Sequence, residues 1–242
     1  MKKAIVTAAD TSHGLSVARL VNLCKEQMSS FDMYVFDLGL TDEDIAGIDD
    51  KAHIIKYDYA NMPDWHNVKV NAGGYGWKPV CVHAIAPKAD LLFWIDAGCF
   101  IKNGLSNEVL FAKENGIFAS TTKGTLEEYT DPRTIEAITA GKHKDFRMRA
   151  SSLVGFNLTN QKVKALIKDW YLMAQLKDVF IPEGSSKHPI VKGDTNPQFN
   201  HRQDQSVFNA LLAMYGFNKF GQRWNFVIQK DIDHRPRNIT TN

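Results

Sequence analysis

The sequence predicts an α/β fold, a mostly parallel, twisted sheet flanked by helices. Three observations carry this. Short β-branched or aromatic runs alternate with stretches of helical spacing through the first hundred residues. One of these runs, Leu91–Ile95, is wholly apolar, as expected of a central strand buried on both faces. Finally, 242 residues suit one large α/β domain better than two small ones.

In chain order, Lys3–Thr7 reads as the first strand. Val17, Leu20, Val21, Cys24 and Met28 then recur at helical spacing, predicting a helix over about Gly14–Met28. Met33–Leu38 is a second, buried strand, ended by Gly39. Thr41 with Asp44 three residues on forms a capping-box-like start for a short helix. His53–Tyr57 is a third strand. A helix is expected over Pro79–Ala86, with Pro79 near the first turn, where a missing N–H costs nothing. Strands separated by helices imply parallel pairing and a doubly wound sheet. The second half is less regular: strands at Ile117–Ser120 and Leu153–Leu158, helices at Lys162–Leu176 and Asp204–Tyr215. Between these helices, Ile181–Asn200 carries three prolines and two glycines and reads as a long loop. Loops of that length in a compact domain commonly serve as lids or binding segments. No internal repeat or domain boundary is evident, so residues 1–242 read as a single domain.

Composition excludes several classes. A net charge of +2, with basic residues scattered, gives no footprint for nucleic acid. The apolar stretch after Met1-Lys2-Lys3 stops at Asp10, too short for a signal peptide. No run approaches the roughly 18 apolar residues of a spanning helix. Cys24, Cys81 and Cys99 sit in apolar contexts without metal-ligand spacing, as reduced core thiols do. The expected location is the cytoplasm, either free or peripheral to the inner face of a membrane.

Three segments carry candidate chemistry. In Leu91-Leu92-Phe93-Trp94-Ile95-Asp96-Ala97-Gly98 an apolar strand runs straight into a carboxylate. Ligands of parallel α/β sheets bind outside the carboxyl ends of the strands, where Asp96 could hold a divalent cation or a ribose hydroxyl. It could equally be a turn cap. At the end of the first strand, Thr7-Ala8-Ala9-Asp10-Thr11-Ser12-His13-Gly14 offers small residues leading into a helix N-terminus, which favours anions. The competing reading is simple capping by Asp10 or Ser12. This stretch is neither a P-loop nor a dinucleotide fingerprint. The third segment is the polar start of an apolar helix, His201-Arg202-Gln203-Asp204-Gln205-Ser206-Val207-Phe208-Asn209, which taken alone reads as a capped helix with Asp204 favoured by the helix dipole.

Taken in order, these segments resemble those of GT-A glycosyltransferases, and most closely the family 8 type that uses UDP-hexoses. The resemblance spans roughly residues 3–215. It implies a GT-A-like fold with a nucleotide-binding part of about residues 1–102 and an acceptor-side part of about 103–242. By that match Ala8, Ala9 and Asp10 line the uridine, Asp10 meeting the base; Ser12 meets the ribose, and His13 replaces a stacking tyrosine. Asp96-Ala97-Gly98 falls on the family's Asp-x-Asp motif, and Lys78 on a basic residue that reaches the donor. Gly155 and Asn157 fall on an acceptor-side strand. Asp204 and Gln205 match the helix start that carries the catalytic carboxylate and amide. The resemblance implies Mn²⁺ or Mg²⁺, held by Asp96 and by His234 near the C-terminus. Its implied partners are a nucleotide-sugar donor and a glycan or lipid-linked glycan acceptor. The chain departs from the family where Gly98 replaces the second carboxylate of Asp-x-Asp and Ser206 the second Asp of the helix start. Around His234 the family's Gly and Lys-Pro-Trp are missing, and Arg235 or Arg237 would clamp the diphosphate. The 181–200 loop reads either as a lid that closes over the donor, bringing Lys187, Lys192 and Arg202 onto the diphosphate, or as an uninvolved surface loop.

Two rival functions remain open. A sugar-1-phosphate nucleotidyltransferase would need a Gly-rich, basic loop after the first strand, which residues 7–14 lack. A non-catalytic domain that binds nucleotide or glycan is argued for by Gly98.

Overall fold

The computed structural model describes residues 1–48, 50, 52–185, 200–222 and 226–228. The elements alternate as β1 (Lys3–Ala9), α1 (Gly14–Gln27), β2 (Asp32–Asp37), α2 (Asp42–Ala46), β3 (His53–Lys56), α3 (Trp77–Ile85) and β4 (Leu91–Ile95). They continue with β5 (Cys99–Ile101), α4 (Ser106–Asn115), β6 (Ile117–Thr125), α5 (Leu126–Tyr129), α6 (Pro132–Thr139) and β7 (Arg147–Asn157). Then come α7 (Gln161–Met173), α8 (Lys177–Phe180), α9 (Asp204–Met214) and β8 (Phe226–Ile228).

The main sheet has the order β3-β2-β1-β4-β7-β6. β1 pairs in parallel with both β2 and β4, and β2 with β3, whereas β7 runs antiparallel to its neighbours β4 and β6. The expected mostly parallel sheet is therefore present, with β7 as the reversed strand. After β1 the chain builds outward through β2 and β3, then returns to the other side of β1 with β4. That reversal is the switch point at which open α/β sheets take their ligands.

Alternation along the strands divides the core between the two faces. Val6, Trp94 and Val154 face one side with residues of α3, α7 and α9. Ile5, Phe93, Ile95 and Leu153 face the other with Val17, Leu20 and Val21 of α1. Burial of one such large side chain stabilises by about 1.5–3 kcal/mol. All three cysteines are free and buried, and burial pushes the Cys24 thiol up to about 12. Among the described residues no helix is long and apolar enough to cross a membrane.

Several boundaries differ from expectation for physical reasons. β7 starts at Arg147 rather than Leu153, and β6 runs to Thr125. The added residues are mostly polar and lie where the ladder between β6 and β7 shifts register; only Met148 and Ala150 of the β7 extension are apolar and buried, too few to mark a strand. α3 begins at Trp77, which still keeps Pro79 in the first turn. The β5–β8 ribbon, too short to read from pattern, was not foreseen. The Thr41–Asp44 capping box forms as expected.

Candidate functional site

Asp96 follows the last residue of β4 at the switch point. Continuing the β1–β4 register, in which Val6 lies beside Trp94, sets Ala8 level with Asp96. The ends of both candidate strands therefore share one edge of the sheet.

Three residues far apart in sequence meet there. The Lys78 ammonium, brought by the first turn of α3, lies 3.0 Å from Asp96 Oδ1 and 2.8 Å from Asp204 Oδ2. It also donates to the Ser151 carbonyl at 3.4 Å, and the Trp94 and Tyr75 rings lie 5.5 and 5.8 Å from it. The Trp94 indole N–H donates to Asp96 Oδ1 at 2.7 Å, and the Ser151 hydroxyl to Asp204 Oδ2 at 2.8 Å. Lys78 is only 3% exposed. Burial alone would lower its pKa; Asp204 and then Asp96 overcome that and hold it above the ordinary lysine value. Burial pushes the Asp96 carboxyl up from the usual range, against the attraction of Lys78. Its side chain nonetheless keeps 37% of its surface open to solvent. Two carboxylates around one ammonium leave the cluster at a net charge of minus one.

Asp204 reaches the cluster because α9 starts abruptly. Gln203 has φ +47°, a left-handed value that stops any helix before it. The rest of this polar segment docks the helix. Asn209 accepts from the Arg149 N–H at 2.6 Å and donates to the Arg149 carbonyl at 2.9 Å, tying α9 to β7. Gln205 Nε2 donates to that same carbonyl at 2.8 Å. The Ser206 hydroxyl donates to the Tyr129 carbonyl and accepts from the Arg202 N–H. His201, 1% exposed, accepts from the Asp131 N–H and reaches the Phe180 carbonyl, and burial lowers its pKa to about 4. Arg202, expected on a diphosphate, instead lays its guanidinium 3.8 Å over the Tyr129 ring.

At the end of β1, Asp10 caps a short 3₁₀ turn, accepting from the Ser12 N–H at 3.2 Å and from its hydroxyl. His13 Nδ1 lies 2.8 Å from the Ser12 hydroxyl and 3.4 Å from Asp10 Oδ1. Ala8 and Ala9 are buried. The expected anion site at the N-terminus of α1 is altered by α2: a methyl group on Gly14 would strike the Asp44 carboxylate. That carboxylate already lies at the positive end of the helix dipole.

The acceptor-side candidates do not join the cluster. Gly155 pairs with Phe93 and Phe118, and the Phe93 ring fills the space a side chain would need. Asn157 pairs with Leu91, at the opposite edge of the sheet from Asp96, where it bonds the Lys113 carbonyl and Thr159. His66, which shows no metal spacing in the sequence, is a core residue, held by the Tyr57 hydroxyl at 2.8 Å and the Ala174 carbonyl at 2.7 Å.

The described residues supply no complete ligand set for a divalent cation. Asp96 Oδ1 already takes an ammonium and an indole N–H, and Gly98 supplies no second carboxylate. No group of three His, Cys, Asp or Glu side chains is arranged to hold a metal among the described residues. Asp96, expected as a metal ligand, is engaged by Lys78 through Oδ1, and His234, its expected partner in that role, lies outside the described residues. Arg235, Arg237, Lys187, Lys192 and most of the expected 181–200 lid also lie outside the described residues. Sequence reasoning missed Ser151 and Tyr75. The one available signal for a buried ion pair was Lys78 itself, a lone acid-or-base side chain apart from His83 in the otherwise apolar run 77–86.

No family model matches the chain, and no curated protein matches it. Among solved structures, the chain is similar to a galactosyltransferase, LgtC, in complex with donor and acceptor sugar analogs. That match is 16% identical, covers 86% of this chain and 70% of that chain, and has a TM-score of 0.48. An active-site mutant of LgtC is 12% identical over 84% of this chain and 83% of that one, with a TM-score of 0.45.

Proposed function

We propose that the chain is a glycosyltransferase that moves a hexose from a nucleotide sugar, UDP-linked, to a hydroxyl of a glycan or lipid-linked glycan. The observation that carries this reading is the Lys78–Asp96–Asp204 cluster at the carboxyl edge of β4, beside the Asp10–Ser12–His13 turn. A sugar is recognised through its hydroxyls, and carboxylates held in place by an internal cation are strong, oriented acceptors for them. Asp96 Oδ2 and Asp204 Oδ1 take no hydrogen bond from a described residue and are the atoms assigned to that task. Asp10, Ser12 and His13 would line the base and ribose.

Transfer requires the donor's anomeric carbon to bear positive charge as the diphosphate departs. Gln205 lies next to Asp204, and its amide nitrogen is anchored on the Arg149 carbonyl, leaving the amide oxygen as the dipole to face that charge. Asp204 Oδ2 is committed to Lys78 and Ser151, which suits orienting a hydroxyl better than removing its proton.

A thermal-shift panel of UDP, UDP-glucose, UDP-galactose and the other nucleoside diphosphates tests the reading. At a hundredfold excess over the dissociation constant a ligand stabilises by about 2.7 kcal/mol. For a chain of this size that is a rise of roughly 5–10 °C. No shift with any nucleotide or nucleotide sugar would sink the proposal. A non-catalytic binding reading is favoured by Gly98, and it would give the shift with no release of UDP from the donor.

A further inference from the structure

The geometry points to Tyr75 as a platform for the pyranose ring of the donor hexose. This rests on the glycosyltransferase reading and adds to it a sugar contact that no motif in the sequence marks. Residues 72–75 are all left-handed, with φ of 52° at Ala72, 58° at Gly73, 51° at Gly74 and 58° at Tyr75. Such a conformation is natural for glycine and sterically costly for an aromatic residue. The turn is nevertheless held firmly. A side chain on Gly73 would strike the His66 carbonyl, and one on Gly76 would strike the rings of His66 and Trp65. The chain therefore uses glycine at 73 and 74, where φ is positive, and at 76, where φ is −62° and crowding forbids a side chain, yet places tyrosine at 75 in the left-handed conformation.

What the tyrosine provides lies outside the core. Tyr75 is 40% exposed, and its ring lies 5.7 Å from Trp77 and 5.8 Å from the Lys78 ammonium. It faces the Lys78 ammonium that Asp96 and Asp204 share, whereas the fully buried Trp94 ring flanks the same ammonium. An exposed aromatic face beside oriented carboxylates matches a pyranose, which carries polarised C–H groups on its faces and hydroxyls around its edge. The negative face of the ring attracts the C–H groups while the carboxylates accept from the hydroxyls.

The test is calorimetric titration of UDP, UDP-glucose and UDP-galactose into wild type and the variants Tyr75→Phe, Tyr75→Leu and Tyr75→Gly. Glycine relieves the backbone, so Tyr75→Gly keeps or raises the melting temperature. The expected result for Tyr75→Gly and Tyr75→Leu is roughly a three- to tenfold loss of affinity for the better-bound UDP-hexose, with UDP unchanged. Tyr75→Phe keeps the wild-type ratio of UDP-hexose to UDP affinity. Equal weakening of UDP and UDP-hexose would overturn the inference in favour of a nucleotide contact. Unchanged affinities in Tyr75→Gly would overturn it in favour of a surface ring without a ligand. If wild type binds UDP but neither hexose conjugate, the platform is wrong and the nucleotide site stands. If wild type binds none of the three, the UDP-hexose reading itself fails and takes the platform with it.

Discussion

The carboxyl edge of the sheet carries two carboxylate sites built in opposite ways. At the end of β1, Asp10, Ser12 and His13 are successive or nearly so, and their hydrogen bonds close within four residues. At the end of β4, Asp96 meets Lys78 and Asp204, which are separated from it by 18 and 108 positions and come from different helices (78 to 96, 96 to 204). The first arrangement is what a capped turn makes of these residues anyway, so its geometry says little about a ligand. The second has no local cause. A buried ammonium between two carboxylates costs desolvation energy and is a poor way to gain stability, so its presence at a switch point argues for a task.

Three perturbations would break or sharpen that contrast. The largest effect is expected from Lys78→Met, which strips the cation from between two carboxylates. Removing one partner of a buried ionic group typically costs about 3–5 kcal/mol. Urea denaturation should show a loss of that order, and adding Asp204→Asn should recover part of it, because the carboxylates then no longer repel. A loss below about 1 kcal/mol would mean that the cluster is solvated like any surface pair, and the contrast with Asp10 would disappear.

His201 should give the next effect, and it concerns how Asp204 is delivered. Its pKa falls from 6.5 to about 4 because it is buried. A folded-state pKa below the unfolded value contributes stability that is present above pH 6.5 and is lost as the pH falls toward 4. The depression corresponds to about 3 kcal/mol. His201→Gln should therefore flatten the decline in stability between pH 7 and pH 4 by about that amount. An unchanged pH profile would show that the junction of α6, α8 and the start of α9 does not depend on a neutral imidazole.

The smallest effect is expected at the local site. Asp10→Ala removes a side-chain cap, worth about 1 kcal/mol. If Asp10 only caps, UDP affinity is unaffected once the protein is folded. If it also meets the base, UDP and UDP-hexose affinities fall together. That joint fall distinguishes it from Tyr75, whose loss should weaken the UDP-hexose and leave UDP alone.

Much of the scaffold was legible because its signals are local or periodic. Leu91–Ile95 was recognisable as a central strand from unbroken apolar character, α1 from the spacing of Val17, Leu20, Val21 and Cys24, and α2 from its capping box. The extension of β7 through Arg147–Ser152 was not, because its polar side chains answer to α9 and to the Lys78 cluster rather than to an apolar face. The candidate site divided in the same way. Asp96, Lys78 and Asp204 were each singled out, but separately, as a ligand for a metal or ribose, a basic residue reaching the donor, and a carboxylate for the reacting sugar. Their pairing depends on how α3 and α9 pack on one face of the sheet.

The sequence by itself determined the alternation of strands and helices, the parallel core of the sheet, and the strand end at which a carboxylate stands. Periodicity and capping are properties of neighbouring residues, and they persist whatever the rest of the chain does. Only the tertiary structure decided that Asp96 is answered by Lys78, that Asp44 occupies the positive end of α1, and that Asn157 lies at the opposite edge of the sheet from Asp96. Each of these is a long-range electrostatic or register relation. It is set by where the packed elements place their ends, and no residue's neighbours in sequence carry that information.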